Sequence, residues 1–160
     1  MPSEIVLKCA RELAGQKINI AFAESATAGR MCSEFSLCPE SGQILRGGIA
    51  CYEVFVKEQI LKVPHNLIET FTAESAEVTQ LLAKNASKIF NSKITVAVTG
   101  LTTPGGSESP EKPVGTMFIH IITPKGELAH REVFAGSAQE IVLSAIDRAA
   151  ILITNILNRK

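Results

Sequence analysis

The sequence predicts an α/β fold, a three-layer α/β/α sandwich around a mixed, mostly parallel sheet. Three observations carry this. Apolar runs too short for helices alternate with longer amphipathic segments, the pattern of a sheet covered by helices on both faces. The last two apolar runs, 116–123 and 128–134, flank Pro124-Lys125-Gly126, a turn that makes an antiparallel hairpin and so a mixed sheet. Of 160 residues, 46% are hydrophobic and 20% charged, a balance that fits a folded domain and argues against disorder.

The elements follow in order. Ser3 caps a first helix, with Ile5, Val6, Ala10 and Leu13 at helical spacing and Gly15 closing it. Residues 18–23 (INIAFA) form a buried strand. A second helix is expected from Ser25–Thr27 to about Leu37, stopped by turn residues 38–42. Residues 44–52 read as a strand interrupted by Gly47-Gly48, a pair that marks a bulge or a close backbone approach. A short helix covers 54–61 and ends before Pro64. Thr72 is expected to cap a longer helix, 73–90, with Ala76, Leu82 and Ala86 on its buried face. Residues 93–99 (KITVAVT) are another buried strand. The polar, Gly- and Pro-rich segment 100–113 is a long loop of the functional or mobile kind. Ser137 caps a last helix that runs to about Asn158. No repeat or linker divides the chain, so one domain over 1–160 is expected.

Composition excludes several functions. Sixteen Lys and Arg balance sixteen Asp and Glu, which removes a polybasic nucleic-acid or membrane surface as the default. No apolar run approaches the ~20 residues of a membrane span. The N-terminal segment lacks a signal-peptide core, so a cytoplasmic location is expected. Cys9, Cys32, Cys38 and Cys51 show no C-x-x-C spacing and read as reduced thiols. His65, His120 and His130 have no metal-ligand spacing, and no metal or cofactor is expected. Tyr52 is the only tyrosine and Trp is absent, which argues against base stacking.

In open α/β sheets, ligands bind beyond the carboxyl ends of the strands. Those ends lead into residues 24–29 and 99–106, which predicts one cleft between them. In Glu24-Ser25-Ala26-Thr27-Ala28-Gly29 a strand runs into a serine at a helix start, where free N–H groups can hold an anion or a developing oxyanion. Simple capping by Ser25 or Thr27 fits the same residues. A serine nucleophile needs a base. Lys57 is the candidate, five residues after Tyr52 and flanked by apolar residues that would depress its pKa; a solvated surface lysine is the alternative. Tyr52 either relays a proton or is a core aromatic. A rival pair, Ser109 and Lys112, is disfavoured because Pro113 opposes helical geometry at Lys112. Gly105 and Gly106, with Thr102, Thr103 and Ser107, could cradle a phosphate, although no Walker A or G-x-G-x-x-G is present.

Four motifs in order, AESATAG, GGIACY with Lys57 five residues on, VTGLTTPGG and EKPVGT, resemble the CinA C-terminal domain family, which includes stand-alone nicotinamide-nucleotide amidases. The family patterns are AESCTGG, GG-x-x-x-Y-S-N-x-x-K, TGIAGP-x-GG and KPVGT. Tyr52 follows Ser25 by 27 positions and Lys57 by 32, the family's spacing. The resemblance implies Ser25 as nucleophile, Lys57 as its base, Tyr52 as an aid to proton transfer or to placing Lys57, and Thr99 as a contributing hydroxyl. Glu24, Ala26, Thr27, Gly29, Gly47, Gly48, Gly100, Gly105 and Gly106 are the expected substrate-binding positions. The implied reaction converts nicotinamide mononucleotide to nicotinic acid mononucleotide and ammonia through an acyl-serine. The only expected partners are this small nucleotide and further copies of the chain, without nucleic acid or membrane. The sequence departs from the family at Ala26 and Ala28, at Glu53-Val54, at 101–104, and at Ala138 and Val142, where the family carries arginines. These departures keep two alternatives open, a nucleotide- or amide-binding domain without turnover and a competence-associated interaction module.

Overall fold

The structure is a computed structural model that describes residues 1–159. Five strands form one sheet in the order β2-β1-β3-β4-β5: β1 (Ile20–Glu24), β2 (Leu45–Ala50), β3 (Ile94–Gly100), β4 (Thr116–Thr123) and β5 (Gly126–Val133). β1 is parallel to both β2 and β3, β4 is antiparallel to β3, and β5 is antiparallel to β4. β4 alone therefore runs against the other four. β1 is buried along its whole length and β3 as far as Thr99, as expected of central strands covered on both faces.

Side-chain alternation along the strands divides the core. Phe22, Val96, Val98 and Ile119 pack against α1 (Glu4–Gly15), α2 (Arg30–Ser36) and α7 (Ala138–Leu157). Ala23 and Ala97 face the opposite layer, where α6 (Ala76–Phe90) supplies Val78, Leu82 and Ala86. Each fully buried Leu or Val stabilises by about 1.5–3 kcal/mol, so small Ala residues on the strands let α6 seat closely. Ser3 and Ser137 cap α1 and α7 as expected, the latter in a reciprocal capping box with Glu140.

Three expected boundaries move. α2 begins at Arg30 rather than at Ser25–Thr27, because Ala28 and Gly29 are left-handed, at φ 48° and 92°, and close a turn instead of a helix. α6 begins at Ala76, where the Ser75 hydroxyl accepts from the Val78 N–H. Thr72 does not cap it; Thr72, at φ 70°, ends α5 (His65–Phe71), a seven-residue helix that half-buries only Leu67 and Ile68. The turn after α2 holds a one-turn helix, α3 (Ser41–Ile44), and α4 (Val54–Gln59) lies where the short helix was expected.

The glycine pair in β2 accounts for both expectations placed on it. The pairing steps from Ile20↔Leu45 to Ala21↔Gly47, so Arg46 is the extra residue of a bulge. A Cβ on Gly48 would lie 3.1 Å from Cys32 Cβ and 3.3 Å from Phe22 Cβ. Gly48 thus lets α2 settle on the sheet. The hairpin β4–β5 turns at Gly126, with Thr123 paired to it.

Candidate active site

The parallel strands β1, β2 and β3 end side by side. The Ser25 N–H donates to the Val98 carbonyl at 2.9 Å, and the Cys51 N–H donates to the Glu24 carbonyl at 2.8 Å. One end of the sheet thereby receives Ser25, Cys51-Tyr52 and Thr99-Gly100. Strand alternation then sends Glu24 and Ser25 to opposite faces.

Glu24 serves the α2 face. Its buried carboxylate accepts from the Thr27 hydroxyl at 2.6 Å and from the N–H groups of Gly29, Met31 and Cys32 at 3.2, 2.9 and 2.7 Å. It supplies the anion that the exposed amides of a helix start favour. Three of the expected substrate-binding positions are engaged elsewhere. Glu24, Thr27 and Gly29 are spent on one another beneath the turn and do not line the cavity. Gly47 and Gly48, also expected to bind substrate, lie within β2 and do not line the cavity beside Ser25.

Ser25 serves the other face. Lys57, on α4, is 2% exposed, and its Nζ lies 2.9 Å from Ser25 Oγ, 2.6 Å from the Cys51 carbonyl and 3.1 Å from the Tyr52 carbonyl. Burial pushes the Lys57 pKa below its ordinary 10.5, opposed more weakly by Cys51 and Glu74. When this amine is neutral, its two N–H bonds satisfy the two carbonyls and its lone pair faces the Ser25 hydroxyl. That is the arrangement of a base on a nucleophile. The Cys51 thiol nearby is no competitor, because burial pushes its pKa up to about 11 and keeps it protonated at neutral pH.

Tyr52 contributes in an unexpected way. Its carbonyl holds Lys57, whereas its side chain is 67% exposed at the cavity rim. Thr99 is fully buried. The Thr79 hydroxyl donates to the Ser75 carbonyl at 2.5 Å, so the 2.8 Å contact between Thr79 and Thr99 uses the Thr99 proton. Thr99 therefore ties β3 to the start of α6, and its proton is not free for a ligand.

A cavity of about 210 Å³ opens beside Ser25. Ala26, Tyr52 and Glu74 line one side, and residues 100–106 line the other. The Ala26 N–H, next after the serine, donates to no protein acceptor among the described residues. The loop carrying residues 100–106 closes at its neck, where Leu101 N–H donates to the Thr116 carbonyl at 3.0 Å and Gly115 N–H to the Leu101 carbonyl at 2.7 Å. Gly100 is needed there, since a Cβ would sit 2.2 Å from Met117 Sδ and 2.5 Å from the Thr116 carbonyl oxygen.

The Gly105 and Gly106 amides form the anion cradle that the glycines suggested, but they hold the chain's own Glu108 carboxylate, at 2.7 and 2.8 Å. These bonds hold Glu108 below the usual carboxylate range. As folded, the cradle offers no free N–H pair to a phosphate. Lys112 meets Ser109 only through its backbone, whose N–H donates to Ser109 Oγ at 3.1 Å; its Nζ bonds Thr72 Oγ1, the Glu74 carbonyl and Ser107 Oγ at 2.7, 2.9 and 2.8 Å and staples the loop to the start of α6. Arg131, from β5, donates to the Glu111 carbonyl at the loop's far end. Glu74 and these two loop braces escaped sequence reasoning. Only the juxtaposition of loop and helix start identifies them. Ala138 and Val142, where arginines were expected, lie in the first turns of α7, and neither lines the cavity.

The profile of the CinA C-terminal domain matches residues 3–157. This chain belongs to the CinA C-terminal domain family. It is 36% identical over 137 residues to a CinA-like protein of Prochlorococcus marinus subsp. pastoris, an alignment covering 85% of this chain and 31% of that protein. A CinA-like protein of Desulfotalea psychrophila is 36% identical over 124 residues, 78% of this chain and 30% of the other. The chain thus spans about a third of the length of the curated relatives it matches. A CinA superfamily protein from Klebsiella pneumoniae superposes with a TM-score of 0.91 at 21% identity, over 96% of both chains. A competence/damage inducible protein from Agrobacterium tumefaciens gives a TM-score of 0.90 at 25% identity, over 99% of both. The CinA fold expected from the motifs is the fold observed. No described helix of this CinA domain is long and apolar enough to cross a membrane.

Proposed function

We propose that this CinA domain is an amidohydrolase that deamidates nicotinamide mononucleotide. The observation that carries the reading is the buried Lys57 amine 2.9 Å from the Ser25 hydroxyl with no carboxylate among its hydrogen-bond partners. An ion-paired structural lysine would keep its proton; burial without a carboxylate partner favours the neutral amine here.

Neutral Lys57 takes the Ser25 proton as Oγ attacks the carboxamide carbon. The tetrahedral oxyanion is positioned to accept from the Ala26 N–H. Protonated Lys57 then passes its proton to the leaving nitrogen, the C–N bond breaks, and ammonia departs from an acyl-Ser25. Water, deprotonated by Lys57, hydrolyses the ester, releasing nicotinic acid mononucleotide and restoring both groups.

Ammonia release from nicotinamide mononucleotide tests the reading. Turnover is expected in the native chain, with loss of at least ~10²–10⁴-fold in Lys57→Met and in Ser25→Ala. A well-folded protein that releases no ammonia from this or related amides defeats it. A second reading, ligand binding without turnover, is favoured by Ala138 and Val142 standing where the family carries arginines. It expects thermal stabilisation by the nucleotide without ammonia.

A further inference from the structure

Glu74 is the only acidic or basic side chain lining the cavity beside Ser25, among the described residues. It sits immediately before the Ser75 cap of α6. One carboxylate oxygen, Oε2, accepts from the Ser107 hydroxyl at 2.6 Å. The other, Oε1, accepts no hydrogen bond among the described residues. Lys57 and Lys112, the lysines whose titration Glu74 influences, direct their N–H groups elsewhere. Lys57 bonds Ser25, Cys51 and Tyr52; Lys112 bonds Thr72, Ser107 and the backbone carbonyl of Glu74. The cavity lining therefore holds one carboxyl group and no lysine or arginine among the described residues. At the rim stands the exposed ring of Tyr52, whose face attracts cations.

A carboxylate with a free oxygen, an aromatic ring and no lining cation together make a surface complementary to positive charge. We propose that Glu74, aided by the Tyr52 ring, is a specificity-determining group that selects carboxamides carried on a positively charged ring, the N-substituted pyridinium class, over neutral amides. The inference rests on the amidase reading and adds to it the feature by which the substrate ring is chosen. In a pyridinium-3-carboxamide the charged nitrogen belongs to the same ring, one carbon removed from the carbon that bears the reacting carboxamide. A carboxamide held at Ser25 therefore brings that charge into the cavity Glu74 lines. A neutral pyridine carboxamide of the same shape leaves Glu74 unpaired and forfeits the attraction.

Titration calorimetry with 1-methylnicotinamide and with nicotinamide tests this, since the two share the ring and the carboxamide and differ in charge. Ammonia release from both is measured in parallel, and melting temperature reports on folding. The wild type is expected to prefer the cation by roughly ten-fold. Glu74→Gln keeps an oxygen for Ser107 and removes the charge, and it is expected to abolish most of that preference. Glu74→Asp keeps the charge and is expected to retain it, which separates charge from loop shape. Equal affinities in the wild type, no detectable binding of either compound, or a preference unchanged in Glu74→Gln overturns the proposal. A charge preference that depends on Glu74 without ammonia from either compound supports it and defeats the amidase reading alone.

Discussion

Glu24 and Ser25 are sequence neighbours that work on opposite faces of one strand end. The Glu24 carboxylate gathers three amides and the Thr27 hydroxyl beneath α2, while Ser25 Oγ meets Lys57 Nζ on the α4 side. The buried anion thus shapes the turn that presents the serine. Structure and chemistry are divided between adjacent residues by the two-residue period of a β-strand.

Glu24→Gln is expected to cost roughly 2–3 kcal/mol, because an amide cannot accept all four donors and leaves buried N–H groups unpaired. Urea denaturation reads the loss, and amidase turnover should fall with it as the Ser25 turn loosens. Unchanged stability would remove Glu24 from its structural role.

Lys57 sets a pH dependence with a defined sign. As the base of the proposed amidase it would act only when neutral, so kcat/KM is expected to rise with pH and level off above an apparent pKa below 10.5. Between the depressed folded value and 10.5, the unfolded chain holds a proton that the folded chain lacks. Stability therefore rises with pH across that window. Below it both states are protonated and the full burial cost stands; above it neither is. Urea titrations at matched pH should show this rise in the wild type and not in Lys57→Met.

Gly100→Ala is expected to destabilise by roughly 2–3 kcal/mol. The Met117 side chain can swing away from the new Cβ, but the Thr116 carbonyl oxygen 2.5 Å away belongs to the loop neck and cannot. Gly42→Ala, in open space within α3, is the control and should gain about 0.5 kcal/mol from its better helix propensity. Thermal melts of the two variants compare them directly.

Lys112→Met removes two hydrogen bonds that hold the loop against the start of α6, to Thr72 and Glu74, and a third to Ser107 within the loop. KM for the nucleotide is expected to rise several-fold with a smaller change in kcat, since Ser25 and Lys57 are untouched. Faster limited proteolysis within residues 102–111 provides an independent reading of the loosened loop.

Much of this molecule was legible from its residues because burial writes a local pattern. The runs at 18–23 and 93–99 are apolar since β1 and β3 are covered on both sides, and Ser3 and Ser137 stand directly before amphipathic helices. α5 left little trace because it only half-buries Leu67 and Ile68, and Thr72 resembled a cap because capping and left-handed turn positions share residue types. At the site, the spacing of Ser25 and Lys57 was readable, whereas the occupation of Gly105 and Gly106 by Glu108 was not. A glycine-rich loop advertises free amides, and only the folded chain reveals which carboxylate reaches them. Glu74 was hidden for the same reason, as its meaning comes from a loop that begins some twenty-six positions later.

The reversed direction of β4 has an evolutionary corollary. Because that strand returns from the end at which β3 leaves, the intervening stretch departs and re-enters at one doorway, pinned between Leu101, Gly115 and Thr116. Whatever happens inside that doorway, an added residue or an exchanged side chain, need not propagate into the sheet or disturb the serine and lysine across from it. The domain thus pairs a fixed frame that holds Ser25 and Lys57 with a loop that can vary on its own, so what enters the cavity can change while the frame stays as it is.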